Sequence, residues 1–263
     1  MSLPQLSQLS LRHWPRTWLG ALLPCSCVLC GALGDAAVCA PCTAAYVLDG
    51  RSRCPCCANP LGVKTLGVKT FGVNPPGAPE DARRCGACLA APPAFDATVA
   101  ACDYADPVDR LVLQLKFGAR LALAPWMARR LHDALLARPG LALPDLLCPV
   151  PLGPRRLVER GYNQALEIAR PLARTLGSAL APRLLARPQD TAAQSGMAPG
   201  ERRRNVRGAF ALAGSPDALA GRHVGLVDDV MSSGHTLDEL AGVLKRAGAA
   251  RVTNLVFART PPH

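Results

Sequence analysis

Aromatic residues are scarce in this chain: Phe, Trp and Tyr make up 4% of its 263 residues. A core must therefore be filled by aliphatic side chains, and an apolar content of 49% is ample for one large domain or two smaller ones. Acidic residues are also short, 19 against 30 Lys and Arg, for a formal charge of +11. The imbalance is local. Between Val150 and Phe210 eleven Arg stand against four acidic residues, +7 of the total. Such an excess favours polyanionic ligands over a merely basic soluble surface. Long apolar runs are missing too. The patch at 18–23 is too short for a signal peptide, and Pro24 stands before Cys25 where a lipoprotein cleavage site wants a small residue. No later run approaches the ~20 residues of a membrane-spanning helix. The expectation is a cytoplasmic chain without membrane insertion, with residues 1–24 as an amphipathic packing segment. Neither Gly-x-x-x-x-Gly-Lys nor Gly-x-Gly-x-x-Gly occurs, which excludes the Walker and dinucleotide-binding loops.

Cysteine, by contrast, is abundant and clustered. Ten of the twelve lie between Cys25 and Cys88. Eight of these form four Cys-x-x-Cys knuckles, Cys27/Cys30, Cys39/Cys42, Cys54/Cys57 and Cys85/Cys88. Two knuckles close one tetrahedral Cys₄ site, so the eight thiolates can hold two structural zinc ions. Sequential pairing is simplest, and interleaved pairing also fits the spacing. Cys25 and Cys56 are spare. A lone redox pair is a poorer reading of repeated knuckles. A segment this poor in large apolar residues needs metal to fold. Within it lies a tandem repeat, Leu61–Thr65 and Leu66–Thr70, followed by Pro75, Pro76 and Pro79. This reads as an exposed inserted loop at about 61–80.

The chain is organised around Val224–Leu237. An apolar run, Val224, Leu226 and Val227, meets two carboxylates, Asp228 and Asp229. Ser232, Ser233, Gly234, His235 and Thr236 follow, and a helix is expected from about Thr236 to Gly248. Backbone N–H groups at a small-residue loop and helix start suit a phosphate. The hydroxyls add donors, and carboxylates just behind can accept from ribose hydroxyls or hold hydrated Mg²⁺. The spacing resembles the PRPP (phosphoribosyl pyrophosphate) loop of type I phosphoribosyltransferases, with Ser232 and Ser233 where threonines are usual and His235 at the variable position. Some relatives of that loop carry an Asp as base where this chain has Ser232, which leaves no obvious general base for an acceptor.

Elsewhere the pattern alternates. Thr98–Cys102 reads as a strand. Asp106-Pro107 reads as the N-cap and first position of a helix with Val108, Leu111, Val112 and Leu115 on one face. A second helix is expected over about 121–137, then a strand from Leu146 to Val150 and a basic loop. That loop carries Arg155, Arg156, Arg160, Gly161, Asn163 and Gln164, and a helix follows from Gln164 to Leu176. Arginine forks suit phosphate oxygens. Shorter elements are expected near 183–186 and 201–206, with Thr191, Gln194 and Ser195 in an irregular segment that reads as a mobile flap. A last strand covers Val252–Ala258. Alternation of this kind predicts an α/β fold with a mostly parallel sheet, whose ligands bind beyond the carboxyl ends of its strands.

The knuckles, Leu115-Lys116-Phe117, Arg160-Gly-Tyr-Asn-Gln164, Arg204-Asn-Val-Arg-Gly-Ala-Phe210 and Val227-Asp-Asp-Val together resemble the ComF family, over about Pro24 to Arg259. The resemblance implies a small Cys-rich zinc-binding module (25–91), then a domain with a sheet of type I phosphoribosyltransferase type (92–263). It also implies PRPP and single-stranded DNA as ligands and a role in DNA uptake during natural transformation, beside a competence helicase or other DNA-uptake proteins. On that footing Asp228 and Asp229 are the candidate catalytic residues, holding the ribose hydroxyls, and 232–236 anchor the 5′-phosphate. Arg155, Arg156 and Arg160 are assigned to pyrophosphate, with Lys116 as a further candidate. The activity is that of a phosphoribosyltransferase with unnamed acceptor. The alternative is a non-catalytic DNA-binding competence factor that uses PRPP as a ligand, with Arg202, Arg203 and Arg204 on its basic surface.

Overall fold

A computed structural model of the chain describes residues 25–47, 52–61, 84–138, 140–188 and 208–261. The 61–80 repeat beyond its first residue, the 1–24 segment, and the stretch with Thr191, Gln194, Ser195 and Arg202–Arg204 lie outside them.

The cysteine-rich part opens with a two-stranded hairpin, β1 (Cys25–Ser26) against β2 (Leu33–Gly34), then α1 (Ala40–Tyr46) and α2 (Gly86–Ala90). Each helix follows directly on the first cysteine of a knuckle, so the second cysteine sits inside its first turns. Strand β3 (Ala97–Asp103) leads to α3 (Val108–Phe117) and α4 (Leu123–Leu136). In α3 the expected stripe Val108, Leu111, Val112 and Leu115 is buried, at roughly 1.5–3 kcal/mol per aliphatic side chain. The expected cap is corrected. Pro107 occupies the cap position after a cis bond, and the Asp106 carboxylate accepts from Arg110 at 3.0 Å instead.

After β4 (Leu146–Pro149), part of the segment read as a loop is helical, α5 (Pro154–Arg160), closed by left-handed Gly161. Pro at the first turn and Gly at the C-cap are what bound it. Helix α6 (Gln164–Leu176) begins and ends where the sequence predicts. Its cap is Asn163, whose Oδ1 accepts from the N–H groups of Ala165 and Leu166 at 2.9 and 3.3 Å, worth ~1 kcal/mol. Strand β5 (Ala179–Leu180), a small antiparallel pair of β6 (Leu185–Ala186) and β7 (Ala211–Leu212), β8 (His223–Met231), α7 (His235–Arg246) and β9 (Arg251–Arg259) complete the chain. Strand β8 does not stop at the carboxylates. It pairs with β9 as far as Met231, so Asp228 and Asp229 are strand residues.

The main sheet has the order β3-β9-β8-β4-β5 and is parallel throughout. Side chains alternate across it. On one face Val224, Leu226, Val252 and Val256 pack with Leu237, Leu240 and Leu244 of α7 and with Cys54, Cys57 and Cys88. On the other, Val227, Leu255 and Phe257 pack with α3, α4 and α6 and with Cys27 and Cys42. The cysteine-rich part thus contributes to both layers. Among the described residues no helix is long and apolar enough to cross a membrane.

Candidate functional site

Because β4 and β8 are parallel neighbours with Pro149 opposite Val227, the segments that follow them leave the sheet side by side. A cleft of about 740 Å³ opens there, lined among others by Lys116, Arg156, Arg160, Asp228, Asp229 and 232–236. Of the residues assigned to a phosphorylated ligand from sequence, all but Arg155 line it. Arg155 sits 79% exposed, outside the lining residues, and pairs at 2.7 Å with Glu159 on the same helix, which does line the cleft.

Asp229 is buried, and Lys116 at the end of α3 reaches it, Nζ to Oδ2 at 2.9 Å. Burial alone would lower the lysine's pKa, but the Asp229 charge overrides it and the net shift is upward. Asp228, its neighbour, is partly exposed to the cleft. Burial, and then the charge of Asp229, push its carboxyl well above the usual carboxylate range, against a smaller opposing pull from Lys116. Among the described residues one lysine is thus ion-paired to this couple of carboxylates, and a ligand that donates hydrogen bonds or brings a cation relieves the excess.

The loop beyond is built for close approach. Gly234 has φ +83, and a Cβ there would come within 2.6 Å of Met231 Cε. It is the cap residue of α7, whose N-terminus faces the cleft with the partial positive charge of the helix end. Ser233 Oγ and His235 Nδ1 are 3.2 Å apart, which holds the imidazole along the loop.

The opposite wall is tied down by Arg160-Gly-Tyr-Asn-Gln164. Asn163 Nδ2 donates to Val150 O at 3.0 Å while its Oδ1 caps α6. Tyr162 donates to the carbonyl of Leu115, next to Lys116, and Arg160 donates to Gln164. The Arg160 guanidinium lies 5.4 Å from the centroid of the exposed Phe117 ring. Arg156 and Arg160, one helical turn apart, thus face the carboxylates from across the cleft.

Sequence reading missed three contributors. Arg187, buried and stacked 5.3 Å over the Phe210 ring, lines the cleft, as does Tyr104. Arg259, beneath the loop, is buried with its guanidinium among backbone carbonyls. The Arg-rich composition flagged the class of residue but not which ones the sheet order brings in.

The eight knuckle cysteines form two groups, Cys27/Cys30/Cys39/Cys42 and Cys54/Cys57/Cys85/Cys88, with the four sulfurs of each within 4.8 Å of one another. The sequential pairing is therefore the one adopted. Tetrahedral zinc with bonds of about 2.3 Å separates its sulfurs by about 3.8 Å. The Cys30–Cys39 and Cys57–Cys85 sulfurs lie 3.7 and 3.6 Å apart. In each group a backbone N–H of the second knuckle donates to a sulfur of the first, Cys39 to Cys27 and Cys85 to Cys54, at 3.4 and 3.3 Å. The Cys54 thiol is pulled down to about 4, chiefly by its bond with Cys57. Cys27 reaches about 6 because backbone N–H groups outweigh the burial that would raise it. Their neighbours Cys42, Cys57 and Cys88 are pushed up instead, Cys42 and Cys57 chiefly by bonds to the cysteines beside them and Cys88 by burial, so it is the donor set and the spacing that fit a metal ion. Spare Cys56 is buried against the second group, and Cys25 is exposed on β1.

No family model matches the chain. It is 37% identical over 244 residues to DNA utilization protein YhgH of Salmonella typhi, covering 90% of this chain and 98% of that one. The corresponding protein of Escherichia coli K12 is 35% identical over the same shares. Competence protein F of Haemophilus influenzae is 34% identical over 181 residues, 68% of this chain and 79% of its own. Among solved structures, a purine phosphoribosyltransferase from Pyrococcus horikoshii aligns over 52% of this chain and 88% of its own, with TM-score 0.30 and 15% identity. Glutamine PRPP amidotransferase from Bacillus subtilis aligns over the same 52% and only 25% of its own length, with TM-score 0.32 and 19% identity. At such scores nothing about the site rests on either.

Proposed function

This chain belongs to the ComF family, that of DNA utilization protein YhgH and competence protein F, and from that membership we propose that it binds PRPP with Mg²⁺ and serves DNA uptake in natural transformation. The observation that carries the reading is the pair Asp228–Asp229, held among the described residues by Lys116 and facing both a glycine-opened phosphate loop and two arginines.

In this reading the N–H groups and hydroxyls of 232–236 take the 5′-phosphate. Asp228, the more exposed carboxylate, accepts from the ribose hydroxyls, and Asp229 is held beside it by its 2.9 Å contact with Lys116. Arg156 and Arg160 face the pyrophosphate, with Arg187 next to them. Asp228 is the side chain that would hold Mg²⁺ together with the ligand, and the ion would supply charge withdrawal from pyrophosphate. Transfer would break the bond from ribose C1 to pyrophosphate, whose oxygen keeps the electron pair, and form one from C1 to the acceptor's nucleophilic atom, whose proton passes to solvent or to the released pyrophosphate. The positive charge growing on the sugar is met by the carboxylates. Zinc fills both cysteine groups, which make a module over 25–91 ahead of a phosphoribosyltransferase-like domain over 92–263. The setting is cytoplasmic, beside single-stranded DNA and uptake proteins such as a competence helicase.

One observation favours a ligand role over catalysis. Among the described residues of the cleft, the carboxylate besides the acidic pair is Glu159, which is engaged by Arg155, Ser232 offers no base for an acceptor, and the His235 imidazole is bonded to Ser233. Calorimetry with PRPP and Mg²⁺, followed by pyrophosphate release with and without single-stranded DNA, tests both. Binding with turnover supports the transferase and binding without turnover the ligand role. No binding by folded, zinc-loaded protein refutes both.

A further inference from the structure

Arg259, the last residue of β9, is buried at 6% exposure. Its guanidinium is an uncommon kind of bridge. Nε donates to the carbonyl of Cys57 at 2.9 Å. Nη1 donates to the carbonyl of Met231 at 3.1 Å, to that of Thr260 at 2.7 Å, and to that of Ser232. Cys57 belongs to the second cysteine group. Met231 ends β8, and Ser232 begins the phosphate loop. Thr260 N donates back to Met231 O at 3.0 Å, closing the joint. One rigid, planar side chain thus connects the backbone of a metal ligand to the backbone that aims the loop.

We infer that Arg259 is a positioning residue through which metal in the second cysteine group sets the conformation, and hence the affinity, of the phosphate loop. The chain of contacts is short. Metal fixes Cys54 and Cys57, and the Cys57 carbonyl fixes Nε. The plane of the guanidinium then fixes where Nη1 holds Met231 O and Ser232 O. Met231 in turn lies under Gly234, where a Cβ would meet its Cε at 2.6 Å. A shift of the Cys57 backbone is therefore delivered to the loop at two points. Only a fork can do this. A lysine keeps the charge but has a single nitrogen, which cannot reach both sets of carbonyls at once. The first cysteine group packs on the other face of the sheet, and the hydrogen bonds described for its sulfurs stay within 25–47. It serves as an internal control.

The inference rests on the proposed PRPP site, and linkage supplies a test that separates the two. If metal in the second group favours the PRPP-binding loop, PRPP must raise zinc affinity there by the same factor. The full chain carrying zinc is titrated with a chromogenic chelator, with and without saturating PRPP and Mg²⁺. PRPP is expected to tighten one of two zinc ions on the order of tenfold and leave the other unchanged. Cys39→Ser, which disables the first group, should keep the response. Arg259→Lys should bind two zinc ions, bind PRPP on the order of tenfold more weakly, and lose the response. PRPP binding to the parent with no change in either zinc affinity overturns the coupling and spares the PRPP reading. Failure of the parent to bind PRPP overturns both. Should Arg259→Lys fail to fold, the comparison of parent with Cys39→Ser decides the matter alone.

Discussion

The two cysteine groups have the same ligands, the same knuckle spacing and the same N–H to sulfur bond, yet they occupy unlike places. The first packs with Val38 and Val47 on the face of α3, α4 and α6, and its Cys30 is exposed. The second lies against β9 and α7, with three of its four cysteines buried, and its segment is bonded into the sheet at several points. Thr98 N donates to Pro55 O at 3.1 Å, Arg138 donates to Pro55 O at 3.4 Å and Thr98 O at 2.7 Å, and Arg53 pairs with Asp103 at 2.7 Å. Ligand chemistry alone does not say what a metal site is for. What its backbone is bonded to does.

The largest effect should separate the two groups directly. Cys54→Ser is expected to lower the melting temperature by about 10 °C or more, since several kcal/mol of metal-linked folding energy are lost at roughly 2–4 °C per kcal/mol for a chain of this size. Cys39→Ser should cost less than half of that and leave PRPP binding intact. Equal losses in thermal unfolding would erase the distinction.

Next comes Lys116→Met, which tests whether the site can fail without the metals. It strands the buried Asp229 carboxylate, at about 3–5 kcal/mol, while touching neither cysteine group. Zinc content by metal analysis should stay at two per chain as the melting temperature falls. Zinc loss alongside would show that the acidic pair and the module are one cooperative unit.

Asp228→Asn should act in opposite directions on stability and binding. A carboxyl whose folded pKa lies above its unfolded value contributes stability that is full below the unfolded pKa and lost as pH rises through the folded one. As pH rises above the unfolded value, Asp228 thus comes to count against the fold. The variant should melt higher than the parent at pH 7–8, by roughly 2–4 °C for each kcal/mol relieved. That gain should vanish toward pH 4. PRPP binding should weaken at least tenfold, as a charge-assisted hydrogen bond is worth about 1.5–3 kcal/mol. A variant that is less stable at every pH would contradict the upward shift.

Much of this was legible in the chain itself. Val224–Leu237 announced strand, acids, loop and helix because each part has its own local chemistry: β-branched apolar residues, carboxylates, small residues and an amphipathic stripe. Helix α6 was legible from its own stretch, Gln164–Leu176, whereas the capping role of Asn163 came from the structure. The knuckles announced two Cys₄ sites but not their pairing: Cys42 and Cys54 are closer in sequence than Cys57 and Cys85, and it is the fold that brings the last two knuckles together. Arg259 and Arg187 were not legible. Their roles come from the order β3-β9-β8-β4-β5, which sets far-separated residues side by side and leaves no mark on the sequence around either arginine. Strand β8 hid its true end for a related reason. Pairing to β9 carries it through two carboxylates that local propensity counts against.

The smallest expected effect applies the same contrast within one helix. Arg155 and Arg156 are adjacent in sequence, and without knowledge of α5 they look equivalent. A helix turns about 100° per residue, so neighbours cannot share a face, whereas Arg156 and Arg160, four apart, can. Arg155 Nε lies 2.7 Å from Glu159 in a pair that is 79% and 56% exposed, which is worth about 0.3–0.5 kcal/mol at most. Arg155→Ala should therefore change the melting temperature by no more than about 1–2 °C and leave PRPP affinity within about twofold. Arg160→Ala removes a cation from the cleft, its bond to Gln164 and its stack on Phe117. It should weaken PRPP on the order of tenfold, and Arg156→Ala should do so to a comparable degree. Calorimetry on the three variants at one salt concentration decides this. If Arg155→Ala proved as damaging as Arg160→Ala, ligand binding must reorient α5, and the cleft as it stands would not be the binding conformation.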